Sequence, residues 1–151
     1  MGHPAETKRN HRRLEMALPI QITFMESSFL PWVEQTQTQD VSAVGARFTV
    51  SRAPEVGQLI HLSIRMPAQL RKYDQSAPNY QVWALVRFAR PCKFVGGSGN
   101  HYEVGAAFVG KKPPESFLAD PTIRYHLAPP EVKDGFWRLF LPGSGIEVIP
   151  G

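Results

Sequence analysis

Two short stretches hold the residue types able to grip a small charged ligand. Arg9 and Arg13 stand four positions apart in "RNHRR", and after 26 intervening residues comes "DVSAVG", which supplies Asp40, Ser42 and Gly45. A guanidinium is a flat, rigid fork of N–H donors that stacks on rings and is more weakly hydrated than an ammonium. An ionised aspartate can only accept hydrogen bonds, a serine hydroxyl can donate or accept, and glycine permits close backbone approach. The same residues have plainer readings. The arginines could be solvated charge, Asp40 and Ser42 could form an Asx or Ser turn between strands, and Gly45 could supply a bend.

The placement of charge narrows the choice of ligand. The chain has 17 Lys and Arg against 13 Asp and Glu, a net charge of +4. Residues 1 to 13 hold Lys8, Arg9, Arg12 and Arg13 against Glu6, a balance of +3, which leaves +1 for the remaining 138 residues. A protein that tracks nucleic acid spreads its positive charge over a face or groove, because affinity scales with the phosphates neutralised. A compact cluster fits a small polyanion better. Lys8 and Arg12 flank the pair and add attraction without a dedicated role.

Other chemistry is missing from the sequence. The five histidines (His3, His11, His61, His101, His126) form no HExxH and no pairing with cysteine or carboxylate at metal-ligand spacing. There is no GxSxG elbow, Walker loop or dinucleotide fingerprint. The expectation is a non-enzymatic chain with no catalytic residues, no metal and no cofactor. "VGGSGN" (95–100) could offer amides to a phosphate, but between two strand-like stretches it reads as a hairpin turn. His61 alternates with apolar neighbours and reads as an outward or hydrogen-bonded structural residue, and the single cysteine, Cys92, as a buried small hydrophobe. One cysteine, no apolar run of membrane-spanning length and no apolar N-terminal stretch give an expected cytoplasmic location without membrane insertion.

The elements that must position these residues are strands. At 151 residues and 42% hydrophobic content the chain has the size of one ordinary domain. "LPIQITFM" (18–25) places Ile20, Ile22 and Phe24 or Met25 on one face, with Pro19 at a strand start. "WVEQTQTQDVS" (32–42) alternates as a half-exposed strand. "GARFTVS" (45–51) sets Ala46, Phe48 and Val50 opposite Arg47 and Thr49. "GQLIHLSIRM" (57–66), "YQVWALVRFA" (80–89) and "HYEVGAAFVG" (101–110) complete six segments separated by Gly, Pro, Ser and Asn, with no amphipathic helix between them. An antiparallel all-β barrel or sandwich follows.

Past residue 110 the composition changes to paired prolines. Pro114 and Glu115 could open one short helix over 114–119, since proline is tolerated in a first helical turn. The rest reads as extended coil. Phe136, Trp137, Leu139 and Phe140 are too apolar for a free tail, so they either dock on the body or form a partner site.

Taken together, RxxxR, the interval and DxSxxG ahead of a β-strand resemble the PilZ domain, the bacterial receptor module for cyclic di-GMP. The resemblance covers residues 8 to about 110 and includes the order of β elements and "VGAAF", which looks like the GxxF-type ending of the last barrel strand. It implies a six-stranded antiparallel PilZ-type β-barrel over 14–112, to which the composition adds a mobile basic arm over 1–13, too polar to pack, and a Pro-rich extension over 113–151. By similarity to the family, Arg9 and Arg13 would close over guanine and phosphate, Asp40 would accept from guanine N1 and N2, Ser42 would serve a phosphate oxygen or the guanine edge, and Gly45 would admit the ligand to the backbone. Binding would order the arm and alter contacts with a downstream partner. The chain departs from the pattern in its Pro-rich C-terminal segment, where PilZ chains often carry a helix. Two other readings compete: a PilZ-like adaptor with weak or no nucleotide binding, and a nucleic-acid-binding barrel using the basic arm and aromatic stacking.

Overall fold

The structure, a computed structural model, describes residues 13–25, 30–92, 100–128, 137–143 and 146–148. Arg9, the rest of the arm before Arg13, most of the "VGGSGN" turn and Phe136 lie outside the described residues. Six strands form the body: β1 (Pro19–Met25), β2 (Pro31–Ser42), β3 (Gly45–Val50), β4 (Leu59–Ile64), β5 (Tyr80–Cys92) and β6 (His101–Gly110). They close in the order β1-β2-β3-β6-β5-β4, every pair antiparallel, so the sheet has no open edge for another chain to extend.

Period-two alternation turns one side of each strand into the barrel. Ile20, Ile22 and Phe24 from β1 meet Ile60, Leu62 and Ile64 from β4, with Phe48, Val82, Val104 and Phe108 completing the interior. Each such side chain contributes on the order of 1.5 to 3 kcal/mol by leaving water. Phe24 rather than Met25 takes the inward place, and Trp32 stacks on it with ring centroids 4.1 Å apart.

The ladders are regular at β1–β2, β1–β4, β4–β5 and β3–β6, and they shift elsewhere. In β2 the pair Thr38–Phe48 is followed by Asp40–Arg47, so Gln39 is an extra residue. In β5 the pair Val86–Ala106 is followed by Phe88–Gly105, which leaves Arg87 extra. Such bulges put two consecutive side chains on one face and bend the strand. Strict alternation from the buried Thr38 would turn Asp40 and Ser42 into the core. With Gln39 inserted, Val41 faces the core and Asp40 and Ser42 face out.

After β6 come α1 (Glu115–Ala119), preceded by Pro114 in an extended conformation, and β7 (His126–Leu127), β8 (Leu139–Phe140) and β9 (Glu147–Val148). The three short strands pair antiparallel in the order β7-β8-β9, which corrects the expectation of extended coil. Phe117, Tyr125 and Leu139 form a second buried cluster with Leu59, Leu85 and Val109 from the outside of β4, β5 and β6. Leu59 and Ile60 are therefore both buried, one against this cover and one in the barrel. Main-chain bonds from the Tyr125 amide to the Gly57 carbonyl and from the Trp137 amide to the Phe108 carbonyl, each 2.9 Å, tie the cover down. His61 is half-buried with its ring 5.1 Å from that of Trp83, and burial lowers its pKa. Cys92 is half-buried at the end of β5 rather than a core residue.

Candidate functional site

The chain enters the barrel alongside β2. Leu14 and Val41 exchange both main-chain hydrogen bonds, at 2.8 and 2.9 Å. Two residues on, the buried Thr38 hydroxyl accepts from the Leu18 amide and donates to the Met16 carbonyl. These bonds lay residues 14–18 against β2 and bring Arg13 over Asp40. Arg13 is the only member of the arginine pair among the described residues.

The Asp40 carboxylate is buried, with a side chain 3% exposed, on the outer face of the barrel. Its Oδ2 lies 2.6 Å from Arg47 Nη2, and its Oδ1 lies 3.4 Å from Nε of Arg13, whose side chain is 60% exposed. Arg47 reaches onward to Glu103 at 3.2 Å, and Glu103 to Arg90 at 2.8 Å. Charges thus alternate in sign along Arg13, Asp40, Arg47, Glu103 and Arg90, and each cation stabilises the neighbouring carboxylate. A network held by an arginine forked between two carboxylates is worth more than isolated surface pairs. Two polar atoms inside it stay unsatisfied: Asp40 Oδ1 and Arg47 Nε have no hydrogen-bond partner among the described residues. Leaving such groups buried costs about 1 to 3 kcal/mol apiece.

Ser42 and Gly45 close the β2–β3 hairpin. The Ser42 hydroxyl accepts from the Val44 amide at 3.2 Å, so the Ser turn is present. A Cβ on Gly45 would fall 2.6 Å from the Ala106 carbonyl oxygen, and only glycine lets β3 lie this close to β6. Gly105 plays the same part for an aromatic ring: a Cβ there would meet Phe88 at 2.2 Å, so Phe88 lies flat on the backbone of β6, with Arg90 over its ring at 4.6 Å.

Asp40, Arg47, Gly105 and Phe88 consequently form one cross-strand row over β2, β3, β6 and β5. Beside it is a small, solvent-open cleft of about 90 Å³ lined by Arg13, Ser42, Gly45, Arg47, Arg87 and Phe88, with Trp137 from the C-terminal cover. Of the residues singled out from sequence, Arg13, Ser42 and Gly45 line it directly. Asp40 lies beneath Arg13 and is not part of the lining. Arg47 was left out by sequence reasoning, although a two-residue hairpin loop between Ser42 and Gly45 pairs Asp40 with Arg47 by counting. Arg87 and Phe88 depend on a bulge, and Trp137 on a long return of the chain, so no local signal marks them. Among the described residues no group of three or more His, Cys, Asp and Glu could hold a metal ion, and no helix is long and apolar enough to cross a membrane.

Solved structures similar to this chain include the Bacillus subtilis inhibitor of motility MotI/DgrA, at 17% identity and a TM-score of 0.46, covering 67% of this chain and 42% of that one. The K. pneumonia MrkH complex with c-di-GMP matches at 10% identity and a TM-score of 0.46, covering 66% and 43%. The PilZ domain of YcgR from Escherichia coli with c-di-GMP matches at 13% identity and a TM-score of 0.47, covering 70% and 81%. The chain spans less than half the length of the first two. The comparison with curated proteins found no match. The family model of the PilZ domain matches residues 7–110, a span that takes in both arginines, "DVSAVG" and all six barrel strands, and this chain belongs to the PilZ domain family.

Proposed function

We propose that the chain is a non-enzymatic cyclic di-GMP receptor, and that Arg13 moves from Asp40 to the ligand when the ligand binds. The carrying observation is the arrangement of the two groups. Arg13 rests 3.4 Å from a buried carboxylate oxygen that has no hydrogen bond among the described residues, and most of its side chain is in solvent. Little is lost when such a contact opens, because the Arg13 end is already mostly in solvent, the contact is long, and Arg47 still pairs with the other oxygen of the carboxylate at 2.6 Å. Once Arg13 swings out, Oδ1 becomes an acceptor for guanine N1 and N2, and the freed fork can take guanine O6 and N7 or a phosphate. Arg47 stays fixed between Asp40 and Glu103, keeping the carboxylate in place and facing the cleft with positive charge.

The remaining parts have matching tasks. Ser42 would serve a phosphate oxygen or the guanine edge, Gly45 keeps the floor free of side chains, and Arg9 would reach the second guanine or phosphate. Drawing the arginine arm onto the cleft alters the surface a downstream partner meets, which is how binding would be relayed.

Calorimetric titration tests this reading. The unaltered chain should bind cyclic di-GMP in preference to GTP or short oligonucleotides. Arg9→Ala or Arg13→Ala should weaken that binding by about 2 to 4 kcal/mol, the scale of losing a charge-assisted fork from a desolvated site, with little change in stability. No binding of any nucleotide would favour the adaptor reading, and preference for oligonucleotides the nucleic-acid one.

A further inference from the structure

The geometry points to Arg87, backed by Trp137, as a stacking platform for one guanine of the ligand, so that the segment after the barrel completes the binding site. This rests on the receptor reading above and adds to it a subsite built from β5 and the C-terminal cover.

Arg87 is the extra residue of the β5 bulge, so it and Phe88 both face outward beside Gly105. Bulges next to binding sites re-aim side chains in this way. The Arg87 guanidinium lies 4.6 Å from the centre of the Trp137 ring, and among the described residues no carboxylate pairs with it. Trp137 is a firm backing. Its amide is bonded to the Phe108 carbonyl, its ring packs against the second buried cluster, and Leu139, two residues on, is fully buried. Both Arg87 and Trp137 line the cleft that holds Arg13, Ser42 and Gly45.

A guanidinium backed by an indole has a face and an edge on its solvent side left for a partner. A purine ring suits the face, and a phosphate suits the edge. The backing decides between them: an arginine laid against an aromatic ring has its plane set in advance, which favours stacking on a second flat ring in a Trp–Arg–guanine sandwich. Arg87 then touches the ligand, and Trp137 acts through it as a positioning residue.

Lysine separates the two modes, because it keeps the charge and loses the plane. Cyclic di-GMP affinity is measured by calorimetry for Arg87→Ala, Arg87→Lys, Trp137→Ala and Arg87→Ala/Trp137→Ala, with thermal melting to confirm that each barrel is folded. Stacking predicts a loss of about tenfold for Arg87→Ala and a similar loss for Arg87→Lys. Trp137→Ala should weaken binding several-fold, with no further loss in the double variant, since both changes remove one platform. Tryptophan fluorescence should change on adding cyclic di-GMP and stay flat in Trp137→Phe, because Trp32 and Trp83 do not line the cleft.

Affinity restored by Arg87→Lys would make the contact a phosphate pairing and overturn the platform. Unchanged affinity in the Arg87 and Trp137 variants, alongside loss in Arg13→Ala, would overturn it while leaving the receptor reading intact. Failure of the unaltered chain to bind cyclic di-GMP would remove both.

Discussion

The two outer walls of the barrel are built from the same kind of strand and differ in almost every other respect. On the wall of β1 and β4, flanked by the first halves of β2 and β5, the ladders run without a shift and outward positions carry Gln21, Gln35, Ser63 and Gln81. Neighbours there meet through neutral hydrogen bonds, Gln35 to Gln21 at 3.2 Å and Gln81 to Ser63 at 3.1 Å. The wall of β3 and β6, flanked by the second halves of β2 and β5, has an extra residue on each flank, Gln39 and Arg87, and a five-member chain of alternating charges. Regular alternation spreads side chains evenly, and the depression on the β1–β4 face is lined mainly by neutral groups such as Gln21, Gln35 and Ser63, with Arg65 at its side. The two bulges crowd side chains onto the β3–β6 face, and the cleft opens beside Arg87 and Phe88 of the second.

If the close backbone spacing at Gly45 creates that cleft, adding a methyl group there should have the largest effect. Gly45→Ala sets a Cβ 2.6 Å from the Ala106 carbonyl oxygen, and because the neighbour is backbone rather than a mobile side chain, β3 and β6 must part. A loss of about 2 to 3 kcal/mol in urea denaturation is expected. A neutral result would mean that the strands have slack here and that the cleft does not depend on their approach.

Thr38 probes how the entering chain is held. Thr38→Val keeps the shape and removes the hydroxyl that serves the Leu18 amide and the Met16 carbonyl, for an expected loss of about 1 to 2 kcal/mol. Residues 14–18 should loosen from β2 and cyclic di-GMP affinity should fall with them, measured by calorimetry on the folded variant. Wild-type affinity would show that Leu14 and Val41 alone position Arg13.

On the neutral wall, Gln35→Ala removes an exposed amide pair and should change stability by less than about 0.5 kcal/mol and nucleotide affinity not at all. An affinity loss there comparable with that of Arg13→Ala would erase the distinction between the walls.

The strands were legible because Ile20, Ile22, Phe24 and Ala46, Phe48, Val50 repeat with period two, and tertiary packing keeps each set on one side. Arg13, Ser42 and Gly45 were legible from type and spacing. Asp40 shows the limit: its residue type marks it for the site, but its burial beneath Arg13 comes from the Leu14–Val41 bridge, which joins residues far apart in the chain. A bulge is similarly hidden, because one extra polar residue such as Gln39 looks like any other exposed strand position. The β7-β8-β9 sheet was missed for another reason. Its strands are two residues long and sit among prolines, so pairing and contact with Leu59 and Leu85, rather than any local pattern, hold them extended.

Backbone amide shift mapping by NMR, with cyclic di-GMP titrated into the isotopically labelled chain, tests most directly whether the bulged wall is the nucleotide site. Amides of Arg13, Leu14, Asp40 to Arg47, Val86 to Phe88 and Gly105 should move most, while those of Gln21, Gln35 and Ser63 stay in place. Shifts gathered on the β1–β4 wall, or none at saturating nucleotide, would contradict it.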